Sequence, residues 1–471
     1  MDTFVYKDHK KLRCGYTTGT CAALAAQGAV RFLLTGSWKE TEEIMTPKGI
    51  PVWVSLEEKT SGDSWAECAV RKDAGDDYDV TNGILVYARA EFVKDKNFYE
   101  KVQMSHLESS GFGAAGEKPG LSPENQKQQK KANAAHQKEA LPESLVRIDG
   151  GIGIGRVTKP GLDQPVGAAA INSVPRKMIR DAAVYELLEE AGELRLVSIT
   201  ISVPAGVEAA KKTFNPVLGI EGGISVLGTS GIVEPMSEEA LVETIRTHLN
   251  VLKAEGRKWV IAVPGNMGAG FLERYLVEHG KFCTDAHQGS NAADTDAAVE
   301  AEQMAYGELS TGTEPSLLEG FMNSLVTMSN FVGKTIDLAA ELGFSGILIA
   351  GHMGKLVKIG NGIMNTHSRE ADGRMDTMLS CALSAGTEDL ELLRKIQRSN
   401  TTDEAMDHLK QAGIIEDTIN VFLKRADWHL THRSRDEVRT GMIVFGTKGE
   451  YLGETEGADA ILRSALKELD Q

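Results

Sequence analysis

The spacing of hydrophobic residues divides the sequence into two patterns, which meet at about residue 212. In the first part, short apolar or alternating segments, which are typical of strands, are mixed with segments of helical periodicity. The predicted strands cover Ile50–Leu56, Trp65–Val70, Ile84–Val93 and Leu196–Val203, and the predicted helices cover residues 14–35 and Met178–Leu188. This mixture predicts an α+β domain over residues 1–212.

From residue 213 onward, each apolar strand is followed by a glycine-rich turn and a helix. Strands connected through helices run parallel, so their carboxyl ends meet at one edge of the sheet, where α/β proteins bind ligands. The sequence therefore predicts an α/β domain over residues 213–471, with a largely parallel sheet, a ligand site at that edge and a helical C-terminal tail. The strands Ile224–Leu227, Trp259–Val263 and Ile347–Ala350 lead into turns at Gly228–Gly231, Gly265–Gly270 and Gly351–Lys355, respectively.

The first predicted helix begins with three threonines, Thr17, Thr18 and Thr20, followed by a run rich in alanine and leucine. Hydroxyl side chains cap helix N-termini, and exposed amides at such a terminus attract anions. An ordinary capped helix and an anion site are both compatible with this sequence.

Four aspartates crowd the loop of residues 73–83, namely Asp73, Asp76, Asp77 and Asp79. The loop lacks the aspartate spacing and the distal glutamate of an EF-hand, so no calcium site is predicted. A solvated turn is one interpretation, and a proton acceptor or polar substrate contact is the other.

A glycine-rich segment at residues 149–155 matches the Asp-x-Gly-x-Gly-x-Gly spacing of common methyltransferases. That fingerprint requires a helix directly after the glycines, and Pro160 and Gly161 block one, so a cofactor loop is rejected here. A hairpin or tight bend lined by a ligand and a purely structural bend are the two remaining interpretations. Residues 151–180 nevertheless contain five basic residues and one acidic residue, in a chain whose net charge is −16. This reversal of charge favours a polyanionic small ligand. Ion pairs with acids elsewhere on the surface are the alternative.

A second polar cluster follows the third predicted strand. Gly351, Lys355 and Lys358 are typical of an anion cradle, and His367 lies in a Thr-His-Ser-Arg sequence downstream. Neither this histidine nor His352 lies at a metal-ligand spacing with a cysteine, so no protein metal site is predicted.

Charge and composition exclude several classes of protein. The net charge of −16 argues against nucleic-acid binding, whose electrostatic footprint is basic. No apolar run reaches the roughly 20 residues of a membrane span, and no signal-peptide pattern is present. Five cysteines without a CxxC pair fit free thiols in a reducing cytoplasm. Residues 106–144 are polar and poor in aromatics, which predicts a mobile insertion or a solvated helix.

Long motifs occur from residue 13 to about residue 374. They include GYTTGTC at Gly15–Cys21, GIEGGISVLGTSGIV at Gly219–Val233 and GHMGKLVK at Gly351–Lys358, with others at residues 73–77, 80–83, 157–162, 172–178, 211–216 and 365–368. In sequence and order they resemble the cobalt-precorrin-5B C1-methyltransferase family. Two departures are the insertion at 106–144 and a tail beyond residue 375 with little family signature.

This resemblance implies S-adenosylmethionine-dependent methylation of C-1 of cobalt-precorrin-5B, giving cobalt-precorrin-6A, in anaerobic cobalamin biosynthesis. It also implies an N-terminal α+β two-layer domain and a Rossmann-like α/β domain, with cobalt present only as part of the substrate. The expected partner is the small-molecule corrinoid, with no nucleic acid and no membrane, and a homodimer is left open.

Such an enzyme mainly has to align the donor and acceptor carbons and exclude water. The acetate and propionate arms of the substrate require cations and helix N-termini. The residues predicted to bind the substrate are Thr17, Thr18, Thr20, Lys159, Arg176, Lys177, Lys355 and Lys358. The residues predicted to bind the donor at the strand ends are Gly228, Thr229, Ser230, Gly231, Gly265, Asn266, Gly268, Gly351 and His352. The candidates for a general base are His367, Asp76 and Asp77.

Two other classes of function are considered. A nicotinamide-dependent oxidoreductase fits glycine-ended strands, but no Gly-x-Gly-x-x-Gly opens a helix at the first strand with an acid about 20 residues further on. A non-catalytic tetrapyrrole carrier needs the basic clamp but no pocket for a donor. Calorimetric titration with S-adenosylmethionine and NADPH distinguishes the three functions.

Overall fold

The computed structural model describes residues 3–7, 9–93, 145–190, 195–278 and 315–469, so the predicted insertion at 106–144 lies outside the described residues. The chain forms two compact units, Met1–Ser237 and Glu238–Gln471, and a mixed α/β architecture is confirmed. The division lies at residue 237 and not at 212, because three short strands between these positions pair with strands of the first unit.

The first unit contains a five-stranded sheet, in which only the last two strands of the spatial order are parallel to each other. The strands lie in the order Glu57–Ser61, Trp65–Arg71, Leu85–Phe92, Val197–Ser202 and Val146–Gly150. Its elements are β1 (Phe4–Lys7), β2 (Lys10–Arg13), β3 (Gly15–Tyr16), α1 (Thr18–Thr35), β4 (Thr41–Met45), β5 (Pro51–Ser55), β6 (Glu57–Ser61), β7 (Trp65–Arg71), β8 (Leu85–Phe92), β9 (Val146–Gly150), β10 (Gly153–Ile154), β11 (Arg156–Val157), α2 (Ser173–Glu190), β12 (Val197–Ser202), α3 (Gly206–Ala210), β13 (Ile220–Glu221), β14 (Gly223–Ile224) and β15 (Ile232–Val233).

Helix α1 is the centre of this unit, because it packs against β7, β8 and α2. All of its residues from Thr18 to Arg31 are buried. Its alanines and glycines allow close packing. A Cβ atom at Gly28 would lie 2.4 Å from Leu56 Cδ1. A helix that is buried on all sides needs this small-residue composition.

A buried charged cluster joins α1 to β4 and α2. Arg31 donates from Nε to Glu42 Oε1 at 3.1 Å and from Nη2 to Glu186 Oε1 at 2.5 Å. Gln27 Nε2 also donates to Glu186 Oε1, at 3.0 Å. Two carboxyl groups therefore share one guanidinium in the interior, and burial raises the pKa of both glutamates.

The second unit is built on a five-stranded sheet, whose strands lie in the order Val326–Thr327, Trp259–Val263, Gly346–His352, Arg439–Phe445 and Tyr451–Glu454. The first four strands in this order are parallel and the fifth is antiparallel. Its elements are α4 (Glu238–Ala254), β16 (Trp259–Val263), α5 (Asn266–Glu278), α6 (Pro315–Ser324), β17 (Val326–Thr327), α7 (Val332–Glu341), β18 (Gly346–His352), α8 (Met353–Leu356), a 3-10 segment at Val357–Asn361, α9 (Arg374–Ser384), α10 (Leu390–Arg398), α11 (Thr402–Gln411), α12 (Ile415–Ser434), β19 (Arg439–Phe445), β20 (Tyr451–Glu454) and α13 (Ala458–Leu469).

Both faces of this parallel sheet are covered, which explains why its central strands are apolar throughout. On β18, Ile347 and Ile349 enter a core with residues of α4, α7 and α12, whereas Leu348 and Ala350 enter a second core with residues of α5 and α13. Alternate side chains of one strand therefore serve two different cores.

The carboxyl ends of β16 and β18 flank a topological switch point. From β16 the chain continues to β17, which lies towards one edge of the sheet. From β18 it continues to β19, which lies towards the opposite edge. A crevice forms where neighbouring strands send their connections in opposite directions. The parallel pairing of the predicted strands Trp259–Val263 and Ile347–Ala350 is confirmed. The assignment of Ile224–Leu227 to the same sheet is wrong, because Gly223–Ile224 pairs with Gly153–Ile154 in the first unit.

Candidate functional site

Two predicted donor-binding segments meet at the switch point in the second unit. A Cβ atom at Gly351 would lie 2.9 Å from Pro264 Cγ, and one at Gly268 would lie 2.9 Å from the Ala350 carbonyl oxygen. These two glycines therefore allow the strand ends and α5 to pack closely. Gly265, in contrast, has no atom within 4 Å of a Cβ at its position, so its backbone is open to a ligand.

His352, the last residue of β18, is fixed by hydrogen bonds through both ring nitrogens. Nδ1 accepts from the Gly354 N–H at 2.9 Å, which caps α8, and Nε2 lies 2.9 Å from Thr447 Oγ1. Thr447 donates its hydroxyl proton to Asp403 Oδ2 at 2.6 Å. Since Nδ1 accepts, Nε2 carries the proton and donates to Thr447. The result is a directed chain from the histidine to the aspartate.

A cavity of about 270 Å³ lies beside these hydrogen-bonded side chains, between α5 and the end of β19. Its lining residues are Met267, Gly270, Glu273, Arg274, Phe445, Thr447 and Gly449. Sequence reasoning did not identify Asp403, Thr447 or Arg274. One signal was present, since the apolar strand ending at Phe445 is followed by a glycine-containing turn, as β16 and β18 are.

The two predicted anion-binding lysines after β18 have different environments. Lys358 is buried, and its ammonium donates to the carbonyl oxygens of Thr366 at 3.1 Å and Ala371 at 2.7 Å. It therefore holds the following loop in place. Lys355 is half-buried and has no hydrogen-bond or ion-pair partner among the residues that the structure describes. Burial alone lowers its pKa, so an anionic ligand would stabilise its charge.

Thr17 and Thr20, at the start of α1, form internal hydrogen bonds. Thr17 Oγ1 accepts from the Thr20 N–H at 3.2 Å, and the Thr20 hydroxyl donates to the Gly231 carbonyl at 2.6 Å. The backbone N–H groups of Thr17 and Gly19 donate to the Gly231 and Leu227 carbonyls, at 3.1 and 3.3 Å. The helix terminus that the sequence offered to an anion is thus covered by the loop of residues 227–231.

Thr17, Thr18 and Thr20, which are predicted to bind the substrate, are all buried. Gly228 has φ +134°, and a Cβ there would lie 2.3 Å from Thr17 Oγ1, so this glycine serves the loop–helix contact. Gly228, Thr229, Ser230 and Gly231 belong to the first unit and not to the parallel sheet.

Most of the basic residues of segment 151–180 serve the fold. Arg176 donates to the backbone carbonyls of Ile171 at 2.8 Å, Ile148 at 2.9 Å and Ala169 at 3.3 Å, and burial lowers its pKa. The other contacts are an ion pair of Arg156 with Asp149 at 2.7 Å, an ion pair of Lys177 with Asp181 at 2.5 Å, and the weak approach of Lys159 Nζ to the Val217 carbonyl at 3.5 Å. These contacts favour the alternative interpretation, in which the basic residues of this segment form ion pairs and backbone contacts.

Replacement of Arg176 with methionine is expected to lower the free energy of unfolding by about 3 kcal/mol, because carbonyl acceptors inside the fold lose their donor. The neighbouring Lys177→Ala variant is the control. Its exposed ion pair is expected to contribute less than about 0.5 kcal/mol. Urea unfolding of both variants checks the prediction. Equal losses would contradict the internal role of Arg176.

The candidates for a general base hold turns in place. Asp76 Oδ2 accepts from the Arg13 N–H at 2.7 Å, and Asp77 Oδ1 accepts from the Met236 N–H at 3.0 Å. His367 is exposed, and its Nδ1 accepts from the Arg369 N–H at 3.1 Å. These contacts favour the interpretation of the aspartate loop as a structural turn.

Within the described ranges, no group of three or more His, Cys, Asp or Glu residues is arranged to hold a metal ion. No helix among the described residues is long and apolar enough to cross a membrane.

Comparisons with known proteins all point to one family. The sequence model of the family described as CbiD matches residues 5–129 and 128–235, and that of the CbiD C-terminal domain matches residues 365–456. The prediction that the tail carries little family signature is therefore wrong. A cobalt-precorrin-5B C(1)-methyltransferase of Ruminiclostridium cellulolyticum is 35% identical over 100% of both chains. One of Methanocaldococcus jannaschii is 33% identical over 95% of this chain and 98% of its own.

One solved structure is also similar. It is the crystal structure of a cobalamin biosynthesis protein from Archaeoglobus fulgidus, which is 21% identical. The comparison covers 79% of this chain and 87% of that chain, with a TM-score of 0.32.

Proposed function

This chain belongs to the CbiD family, and on that basis we propose that it methylates C-1 of cobalt-precorrin-5B in cobalamin biosynthesis. The enzyme is a methyltransferase that acts on a corrinoid, and cobalt enters the reaction as part of that substrate. We further propose that the methyl donor is S-adenosylmethionine, which supplies an activated methyl group on a sulfonium with a good leaving group.

We propose that the donor binds at the carboxyl edge of the parallel sheet in the second unit, and that this unit is a Rossmann-like domain. The supporting observation is the switch point between β16 and β18, with the open backbone at Gly265 and the adjacent cavity. Asn266 starts α5 there, and His352 ends β18. The first unit, Met1–Ser237, is proposed to be the α+β domain.

The residues of this edge have to bind and orient, since direct displacement at a sulfonium needs no protein nucleophile. Alignment of the reacting carbons can provide up to about 7–11 kcal/mol of the barrier reduction. Phe445 gives the cavity an apolar wall, and its ring stacks on Phe271 with ring centroids 4.2 Å apart. The hydrogen bonds of His352 fix its ring.

Lys355 is proposed to bind a carboxylate arm of the corrinoid. It is the predicted substrate-binding cation whose ammonium has no partner in the described part of the chain, and it lies three residues beyond His352. Folding has already removed part of the water around this ammonium. An ion pair between it and a carboxylate is therefore stronger than one with a fully hydrated lysine.

The proposed activity is tested with S-adenosylmethionine that carries an isotope-labelled methyl group and with cobalt-precorrin-5B under anaerobic conditions. The expected product carries the labelled methyl group, and calorimetry is expected to show binding of S-adenosylhomocysteine and none of NADPH. A product without the label, or binding of NADPH alone, would contradict the proposal.

A cavity-filling substitution tests the location of the donor. Gly270→Leu places a side chain into the cavity from α5, at a position with no atom within 4 Å of a Cβ. The affinity for S-adenosylhomocysteine is expected to fall at least about tenfold, while the unfolding midpoint stays within a few degrees of the wild type. The matched control is Gly320→Leu in α6, which also has open space and lies outside this cavity. Equal binding by both variants would place the donor elsewhere.

We also propose a cytoplasmic location, which suits the buried thiols of Cys14, Cys21, Cys68 and Cys381.

A further inference from the structure

The cavity between α5 and the β19–β20 turn has one apolar wall and three polar groups. Met267, Gly270 and Arg274 follow one another at helical spacing along α5, and Phe445 forms the opposite side. The volume of about 270 Å³ is slightly below the range of about 300–1,000 Å³ for complete small-molecule sites. The cavity is therefore suited to one end of a larger ligand.

Arg274 is held at the mouth of this cavity without an anionic partner. A Cβ atom at Gly449 would lie 2.4 Å from Arg274 Nη2, so the guanidinium lies directly against this turn. Gly449 has φ +81°, which also favours glycine at this position. Among the residues that the structure describes, no carboxylate forms an ion pair with Arg274. Its donors are available to a ligand.

The same cavity contains an acid and a hydroxyl acceptor. Glu273 lines it, and within the described ranges its carboxylate makes no hydrogen bond or ion pair. Thr447 Oγ1 donates a hydrogen bond to Asp403 and accepts one from Nε2 of His352, which leaves one lone pair for a further donor. The cavity thus offers a cation, an anion and an oriented acceptor close together.

We infer that this cavity binds the zwitterionic amino-acid end of the methyl donor, an inference that rests on the proposed function. Arg274 binds the α-carboxylate, for which its planar donors are suited, and Glu273 and Thr447 Oγ1 accept from the α-ammonium. A phosphate or an acetate arm would be attracted by Arg274 but repelled by Glu273. Only a ligand with both charges satisfies both residues.

Asp403 and His352 act here as positioning residues. The aspartate accepts a hydrogen bond from the Thr447 hydroxyl, and the histidine fixes the rotation of the Thr447 side chain. Together they determine the direction of the remaining lone pair.

The test compares two probes by calorimetry with the full chain. S-adenosylhomocysteine has the amino-acid end, and 5′-methylthioadenosine shares the adenosine and the thioether but lacks it. Arg274→Ala and Glu273→Gln are each expected to weaken S-adenosylhomocysteine binding about tenfold, and to leave the affinity for 5′-methylthioadenosine unchanged. Arg274→Lys should retain part of the affinity. The control is Arg463→Ala, since Arg463 lies on α13 in an exposed ion pair with Asp459.

The outcomes separate the two proposals. If the wild-type chain binds 5′-methylthioadenosine and S-adenosylhomocysteine but neither variant changes the ratio of their affinities, the amino-acid site is wrong and the donor proposal stands. If the wild-type chain binds neither probe, both proposals fail. Calorimetric unfolding of each variant verifies that it is folded, which is expected because Arg274 is exposed and Glu273 is partly exposed.

Discussion

Replacement of Lys355 with alanine is expected to raise the KM for cobalt-precorrin-5B about tenfold, which corresponds to about 1.4 kcal/mol. The half-buried ammonium has no partner among the described residues, so a substrate carboxylate would provide the compensation that the fold does not. The Kd for S-adenosylhomocysteine is expected to stay the same. Steady-state methyl transfer and calorimetry measure the two quantities.

Lys355→Arg keeps the charge, and Lys395→Ala in the last turn of α10 is the control for a general loss of surface charge. Because burial lowers the pKa of Lys355, its charge is present at low pH and is lost as the pH rises through that lowered value. The KM of the wild type should therefore begin to rise at a lower pH than it would if Lys355 had the pKa of an ordinary lysine. The KM of the arginine variant should not rise in that pH range. A KM that Lys355→Ala leaves unchanged would remove this residue from the substrate site.

Replacement of Arg31 with methionine is expected to lower the free energy of unfolding by about 3–5 kcal/mol at pH 8. The substitution leaves the buried carboxyl groups of Glu42 and Glu186 without their shared cation. The double variant Arg31→Met/Glu186→Gln is expected to recover part of this loss, because one of the two buried charges is then absent. Denaturant unfolding measures both variants.

The loss should depend on pH in a defined direction. Burial raises the pKa of Glu42 and Glu186, so the folded chain holds their protons more tightly than the unfolded chain does. The stabilisation from protonation is present below the unfolded pKa and disappears as the pH rises through the raised folded values. Glu186 Oε2 and Gln27 Oε1 are buried oxygens without a hydrogen-bond partner among the described residues. A proton on Glu186 would add a hydrogen-bond donor to this cluster. The Arg31→Met loss should therefore be smaller at pH 5 than at pH 8, and a loss independent of pH would contradict this account.

The sequence alone was sufficient to predict the central strands of the second unit. Trp259–Val263 and Ile347–Ala350 are apolar throughout because helices cover both faces of the sheet, and this burial is visible in the sequence. The segment Ile224–Leu227 has the same local pattern, but its strand partner lies about 70 residues earlier, at Gly153–Ile154. Local pattern does not specify a strand's partner, so the division between the units was misplaced.

The candidate site was predictable only in part, because residue type does not tell whether a cation faces a ligand or a backbone carbonyl. Lys355 and Lys358 are three positions apart in one motif, yet within the described ranges only the Lys358 ammonium donates hydrogen bonds to the fold. Likewise, Asp403 and Thr447 are 44 residues apart in the chain, and their contact depends on how α11 and the β19–β20 turn pack. No local motif encodes such a pair.

Hydrogen exchange of the full chain, measured by mass spectrometry with and without S-adenosylhomocysteine, tests the central claim most directly. The ligand is expected to slow exchange at residues 264–270, 351–355 and 445–449, where the strand ends and the cavity meet. Slower exchange at residues 17–20 and 227–231, with no change at those strand ends, would contradict it.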